Sequence, residues 1–246
     1  MRLYDEIIRD ILTSLEKQDK HILPVGAAAD PVSRDWQDAG KAMMILQSDM
    51  AYELGGHNLP AVGNTLVTTG KDFVPEDEII LIGKDLPEIT EDTPYARIAL
   101  VRVAEDSIGT GDRLYNTIRN IGYFRYHIYP KGFMLRVSSS NDRESVRVEA
   151  EALNEGLNFT AIGNAMLRAL HLHKEVEAVR IIFVTDPKVD YGRLQDGLKK
   201  TKQITATIDH MLKDVNMDCG SCGLQEICDE IEGLREMHFG MSEEHT

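Results

Sequence analysis

The chain is 246 residues long, 42% hydrophobic and formally −14 at pH 7, enough for one good core and a small appendage. Nothing approaches about 18 uninterrupted apolar residues, and the opening MRLYDEIIRD is charged throughout, so neither a membrane span nor a secretory signal is expected and the chain reads as cytoplasmic. The acidic balance argues against general nucleic-acid binding, which depends on neutralising phosphates with Lys and Arg.

In chain order, residues 4–17 repeat apolar positions at Ile7, Ile8, Ile11, Leu12 and Leu15, the spacing of an amphipathic helix. HILPVGAAADP reads as a connector, and a second helical patch is expected over 35–46. The passage ELGGHNLPAVGNTLVTT packs three glycines and a proline into seventeen residues. No GKT follows Gly55-Gly56, so a tight turn or close backbone approach is expected there rather than a phosphate cradle. EIILIG (78–83) and ARIALVRVA (96–104) read as strands, and 110–121 as a helix burying Leu114, Ile118 and Ile121. YFRYHIY (123–129) and GFMLRVS (132–138) alternate around Pro130-Lys131-Gly132 and read as a hairpin. A polar helix is expected from Asp142, another helix over 158–174, a strand over 179–186 and a long helix over 190–215. These elements predict an α+β fold with a mixed or antiparallel sheet and packed helices, followed by a long helix and a small C-terminal cysteine-bearing helical module. The natural joints divide the chain into an arm (1–48), an α+β domain (49–187) and a helix with a cysteine module (188–246).

Charge is unevenly spread. From Asp218 to Thr246 eight acids face Arg235 alone, a net of −7. Residues 113–147 carry seven bases (Arg113, Arg119, Arg125, Lys131, Arg136, Arg143 and Arg147) against Asp142 and Glu144, a net of +5. Six of the fifteen aromatics, including Tyr123, Phe124 and Tyr126, share that window.

All three cysteines, Cys219, Cys222 and Cys228, fall within ten residues after 218 without one. An odd number in one short segment speaks against disulfides. Gly220 and Gly223 allow a tight backbone that turns several sulfurs to one point. Three thiolates could hold a [4Fe–4S] cluster with a fourth ligand from His238, a partner or solvent, or zinc with His238 completing the set. The surrounding acids would push a bound cluster toward low reduction potential. Of the other histidines, His57 and His127 read as hydrogen-bonded residues, while His171 and His173 are too differently directed to share a metal.

SDMAYELGGHNLPAVGNTLVTT, then EIILIGKDLPEITEDTPYARIALVRVA, then the helix, hairpin, helix and strand ending at RIIFVTD, and finally the CxxC, resemble the acetyl-CoA synthase family. This is the CO-methylating acetyltransferase, or beta subunit, of the carbon monoxide dehydrogenase/acetyl-CoA synthase complex. The likeness covers about 49–228 and places 49–187 against the family's middle domain. It implies that Cys219, Cys222 and Cys228 match cysteine ligands of the family's [4Fe–4S] cubane, with His238 standing where a fourth falls. The family's Cys-Gly-Cys, which holds the distal nickel, occurs nowhere here, so nickel is not expected on this chain and catalysis by it alone would be incomplete. No catalytic residue is nominated.

The family's arginine-rich middle domain is associated with CoA. By that likeness Arg113, Arg119, Phe124, Arg125, Lys131 and Arg136 are candidates for its phosphates and adenine. The leading expectation is an iron–sulfur accessory or electron-transferring subunit of anaerobic one-carbon metabolism, working with carbon monoxide dehydrogenase, a corrinoid protein or a nickel-bearing subunit. A zinc-stapled interaction module and the CoA-binding part of a split acetyltransferase are the alternatives.

Overall fold

The computed structural model describes residues 3–26, 44–105, 112–126, 128, 130–138 and 143–213. Cys219, Cys222, Cys228, His238 and most of the 35–46 patch lie outside the described residues. The frame is α+β, as the patterning predicts. A five-stranded mixed sheet has the order β1 (His21–Leu23), β4 (Glu78–Ile82), β8 (Val176–Val184), β5 (Tyr95–Val103), β3 (Ala61–Thr68). A second, antiparallel sheet has the order β2 (Met50–Leu54), β7 (Glu144–Glu149), β6 (Phe133–Val137). The helices are α1 (Asp5–Ser14), α2 (Asp112–Gly122), α3 (Ala150–Asn154), α4 (Phe159–Leu170) and α5 (Tyr191–Lys213).

In the large sheet β4 and β8 run parallel, β8 and β5 antiparallel, and β5 and β3 parallel, with Arg97 opposite both Gly63 and Phe183. Residues in register share a face, so alternation sorts the layers. Phe183 stacks on Phe159 of α4 at 4.5 Å, and Arg97 reaches Glu144 of β7. One face of the sheet is therefore covered by α4 and the smaller sheet. Asn64, one residue on, points the other way and donates to Thr201 Oγ1 of α5 at 3.1 Å, and α1 packs on α5 behind it, with Tyr4 Oη 3.0 Å from Thr205 Oγ1. Because β5 is covered on both faces, it reads as an almost unbroken apolar run.

Local chemistry sets the helix boundaries. Asn158 accepts from Ala161 N at 2.9 Å and caps α4. Asp190 accepts from Gly192 N at 3.1 Å where α5 begins. The α1 stripe of Ile7, Ile8 and Ile11 is buried in the same apolar core as β5 and α5.

Three expectations are corrected. The connector HILPVGAAADP contains β1, an edge strand pairing antiparallel with β4. YFRY is a 3-10 turn at Tyr123–Tyr126 rather than a strand: a strand would put Tyr126 on the face of Phe124, whereas Tyr126 is exposed with Tyr123, three residues before it, and Phe124 is buried. The partner of β6 is instead β7, in the segment expected to be a polar helix. Its residues alternate strictly, with Glu144, Val146 and Val148 buried and Ser145, Arg147 and Glu149 partly exposed, which is the period of a half-buried strand.

Candidate functional site

The positively charged window occupies α2, the 3-10 turn, β6 and β7, and the fold distributes its cations among separate partners. Arg113 and Arg119 lie on the exposed side of α2, opposite Leu114, Ile118 and Ile121. The Arg119 guanidinium sits 5.2 Å from the Tyr123 ring centre, and its Nε donates to the Tyr123 hydroxyl at 3.1 Å. Tyr123 meets Tyr126 edge to face at 5.7 Å, and the Arg125 guanidinium lies 5.1 Å from the Tyr126 ring centre. Arg119, Tyr123, Tyr126 and Arg125 thus form a continuous ladder of two cations and two rings, held by the attraction of guanidinium for an aromatic face.

The other candidate residues do not join it. Phe124 is 3% exposed and lies beneath the Arg97 guanidinium, 5.1 Å away, so its ring already has a partner on one side and core on the other. Lys131 pairs with Glu155 at 3.1 Å. Arg136 donates to Glu53 Oε1 at 2.7 Å, and Arg147 reaches the same oxygen at 2.7 Å. Arg143 donates to the carbonyls of Gly55 and Leu59 at 2.7 and 2.8 Å, clamping the tight turn expected at Gly55-Gly56. His57 in that turn has a positive φ of 50° and is hydrogen-bonded to Asp92 at 3.1 Å.

Sequence reasoning missed the most buried polar group. Arg97, fully buried, donates to Glu144 through Nε at 2.6 Å and Nη2 at 2.8 Å. Its Nη1 donates to the Asn64 carbonyl at 3.3 Å and to Thr65 Oγ1 at 3.2 Å. Arg125 adds a third guanidinium contact to Glu144 at 3.4 Å, and its own Nε is buried without a hydrogen-bond partner among the described residues. Burial alone would push the Glu144 carboxyl up, but Arg97 and Arg125 outweigh it and hold it below its ordinary range. Burial likewise works against the Arg97 charge, and Glu144 reverses that. The Tyr95 hydroxyl is buried beside the pair without a hydrogen-bond partner among the described residues. Burial, with Glu144 nearby, drives its pKa well up. A charged residue inside the apolar run ARIALVRVA is the signal that could have found this pair, since a strand covered on both faces leaves no solvated side for Arg97.

Gly63 faces this carboxylate. A Cβ placed on it would run into the Glu144 side chain, so the closeness of β3 to β7 depends on that missing methyl.

Among the described residues no group of three or more His, Cys, Asp or Glu side chains converges to hold a metal ion. None of the helices there is long and apolar enough to cross a membrane.

The frame from β2 to β8, with both sheets and the cationic segment, coincides with a known family. The family model for the CO dehydrogenase/acetyl-CoA synthase complex beta subunit matches residues 37–189, more than half of the chain. No curated protein matches it. From the span of that match, the chain belongs to the CO dehydrogenase/acetyl-CoA synthase complex beta subunit family.

Proposed function

We propose that this protein is an iron–sulfur subunit of anaerobic one-carbon metabolism, serving an acetyl-CoA-synthase-type system as an accessory or electron-transferring component. The observation that carries this reading is the family match over residues 37–189 followed, beyond a long helix, by the thiol group Cys219, Cys222 and Cys228. Three soft thiolates with an imidazole from His238 form a donor set suited to a [4Fe–4S] cluster, and zinc is the competing occupant. When bound, such a cluster exchanges one electron at a time. No Cys-Gly-Cys occurs within these residues, so the proposal assigns no nickel site to them. The family description names a complex, which supports a protein partner such as carbon monoxide dehydrogenase, a corrinoid protein or a nickel-bearing subunit.

CoA binding is the second reading, favoured by the exposed Arg113 and Arg119 beside Tyr123 and Tyr126. Arg125, Lys131 and Arg136 already have carboxylate partners, and Phe124 is buried, so few of the candidate groups are free to meet a phosphate or an adenine.

Anaerobic purification tests the leading reading. The expected product is a brown protein carrying about four irons and four sulfides per chain, lost in Cys219→Ala and Cys222→Ala. An iron-free protein with one zinc would overturn it in favour of a zinc-stapled module.

A further inference from the structure

The stretch 113–126 carries Arg113, Arg119 and Arg125 and no acid, in a chain whose formal charge is −14. Arg113, Asn116, Arg119 and Asn120 are exposed together on the side of α2 opposite the buried Leu114, Ile118 and Ile121. Tyr123 and Tyr126, each 41% exposed, continue that surface past the helix end. Arg125 is bonded to Glu144 and serves at this face only to brace Tyr126. Among the described residues no carboxylate forms an ion pair with Arg113 or Arg119. Arg119 donates to the neutral Tyr123 hydroxyl, with a weaker pull from Asp209 of α5.

Shape narrows what such a face can meet. The exposed side of a helix is convex, whereas sites for small ligands are concave. Tyr123 and Tyr126 meet edge to face, 60° apart at 5.7 Å, so the two rings do not form a parallel slot for a flat base. Arginine and tyrosine are instead the residue types enriched where one protein binds another, because each offers a large, rigid contact area. Stacking fixes the Arg119 guanidinium over the Tyr123 ring before any partner arrives, which lowers the entropy lost on docking.

We propose that this face docks a partner protein through a carboxylate-rich surface, with Arg113 and Arg119 pairing with its acids and Tyr123 and Tyr126 supplying apolar contact area. The sign of the charge selects such a partner, since positive meets negative across an interface and like charges repel wrong partners. The inference rests on the reading that the chain works in a complex, and it gives that complex a docking surface on α2 and the 3-10 turn.

Hydrogen exchange and affinity measured on the full chain test it. The anaerobically purified protein is mixed in turn with the purified carbon monoxide dehydrogenase subunit, corrinoid protein and nickel-bearing subunit of the same organism. The expected result is binding by one of them that slows amide exchange over 113–126 and falls as salt rises. Arg113→Glu with Arg119→Glu should weaken that binding about 30-fold or more. Arg113→Glu alone, which touches none of the ladder contacts, should produce part of that loss. The same charge change in Arg9→Glu with Lys17→Glu, both exposed and away from α2, should leave the affinity unchanged. Binding that protects another surface, or that ignores the α2 substitutions, would overturn the docking surface while leaving the complex standing; no binding by any of the three would overturn both. Displacement of the partner by free CoA, where sodium chloride of the same ionic strength has no effect, would assign the face to a phosphate ligand. Self-association lost on the same substitutions would assign it to a second copy, and either result overturns the proposal.

Discussion

Arg97 and Glu144 meet where β5, β3 and β7 converge, and two nearly parallel N–H···O bonds close the pair. Two charges taken from water are expensive, and the attraction between them offsets that cost only while both are present and well oriented. Glu144→Gln leaves the Arg97 charge buried against a neutral amide. The expected loss at neutral pH is about 3–5 kcal/mol in urea unfolding, with a smaller loss at acid pH. The sign follows from the depressed Glu144 pKa: the folded state favours the carboxylate, so the pair's contribution is complete above the ordinary value of 4.5 and is lost as pH falls through the lower folded value. Wild-type stability should therefore drop on that acid limb, and the Gln variant should drop less. Parallel acid limbs for the two proteins would show that Glu144 does not carry the effect.

Asp85 shows how one side chain joins elements. It sits before the 3-10 turn at Leu86–Glu88, accepts from Leu86 N at 2.7 Å, and receives a second bond at 2.8 Å from Phe159 N, the first residue of α4. Glu88 returns a bond to the Asp85 N–H at 2.9 Å, completing a capping box. Asp85→Ala orphans two donors at once and should cost about 1–2 kcal/mol, while Asp85→Asn should recover most of it, since an amide oxygen can still accept. Denaturant titration of the three proteins checks this, and an alanine variant as stable as wild type would show that water replaces the carboxylate without loss.

The hairpin is the element where sequence pattern and structure part. Residues 123–126 alternate as a strand would, and only contact with Arg97 on Phe124 reveals which side is inside. Gly132, with φ +79° and Ala152 pressed against the place of its missing Cβ, turns the chain into β6 as the Pro-Lys-Gly signal indicates, and β6 pairs with β7 while 123–126 form a 3-10 turn.

For the molecule as a whole, α1 and β1 precede the family-matched span, yet α1 belongs to the apolar core and Leu23 of β1 packs against it. The large sheet has β1 as an edge, and α1 lies on α5 with Ile8 fully buried. α1 should then open only with the body. In native-state hydrogen exchange the amides of α1 are expected to share the opening free energy of β5 and β8, and Ile8→Ala should lower all three together by about 2–5 kcal/mol. Exchange of α1 at a much lower free energy would mark the arm as a separate unit.

The sequence by itself determined the helices α1, α2, α4 and α5 and the strands β4, β5 and β8, because hydrophobic period is a local property that any chain shows before it folds. It also determined the clustering of three cysteines and the separation of a basic window from an acidic end. Tertiary structure decided what local pattern cannot express: that β7 pairs with β6 while 123–126 form a 3-10 turn, that Arg97 and Glu144, 47 residues apart, share one buried site, and that most of the basic window is spent on internal carboxylates and carbonyls. Each of these depends on which surfaces meet across the core, and a cation's freedom to bind a ligand is known only once the groups opposite it are in place.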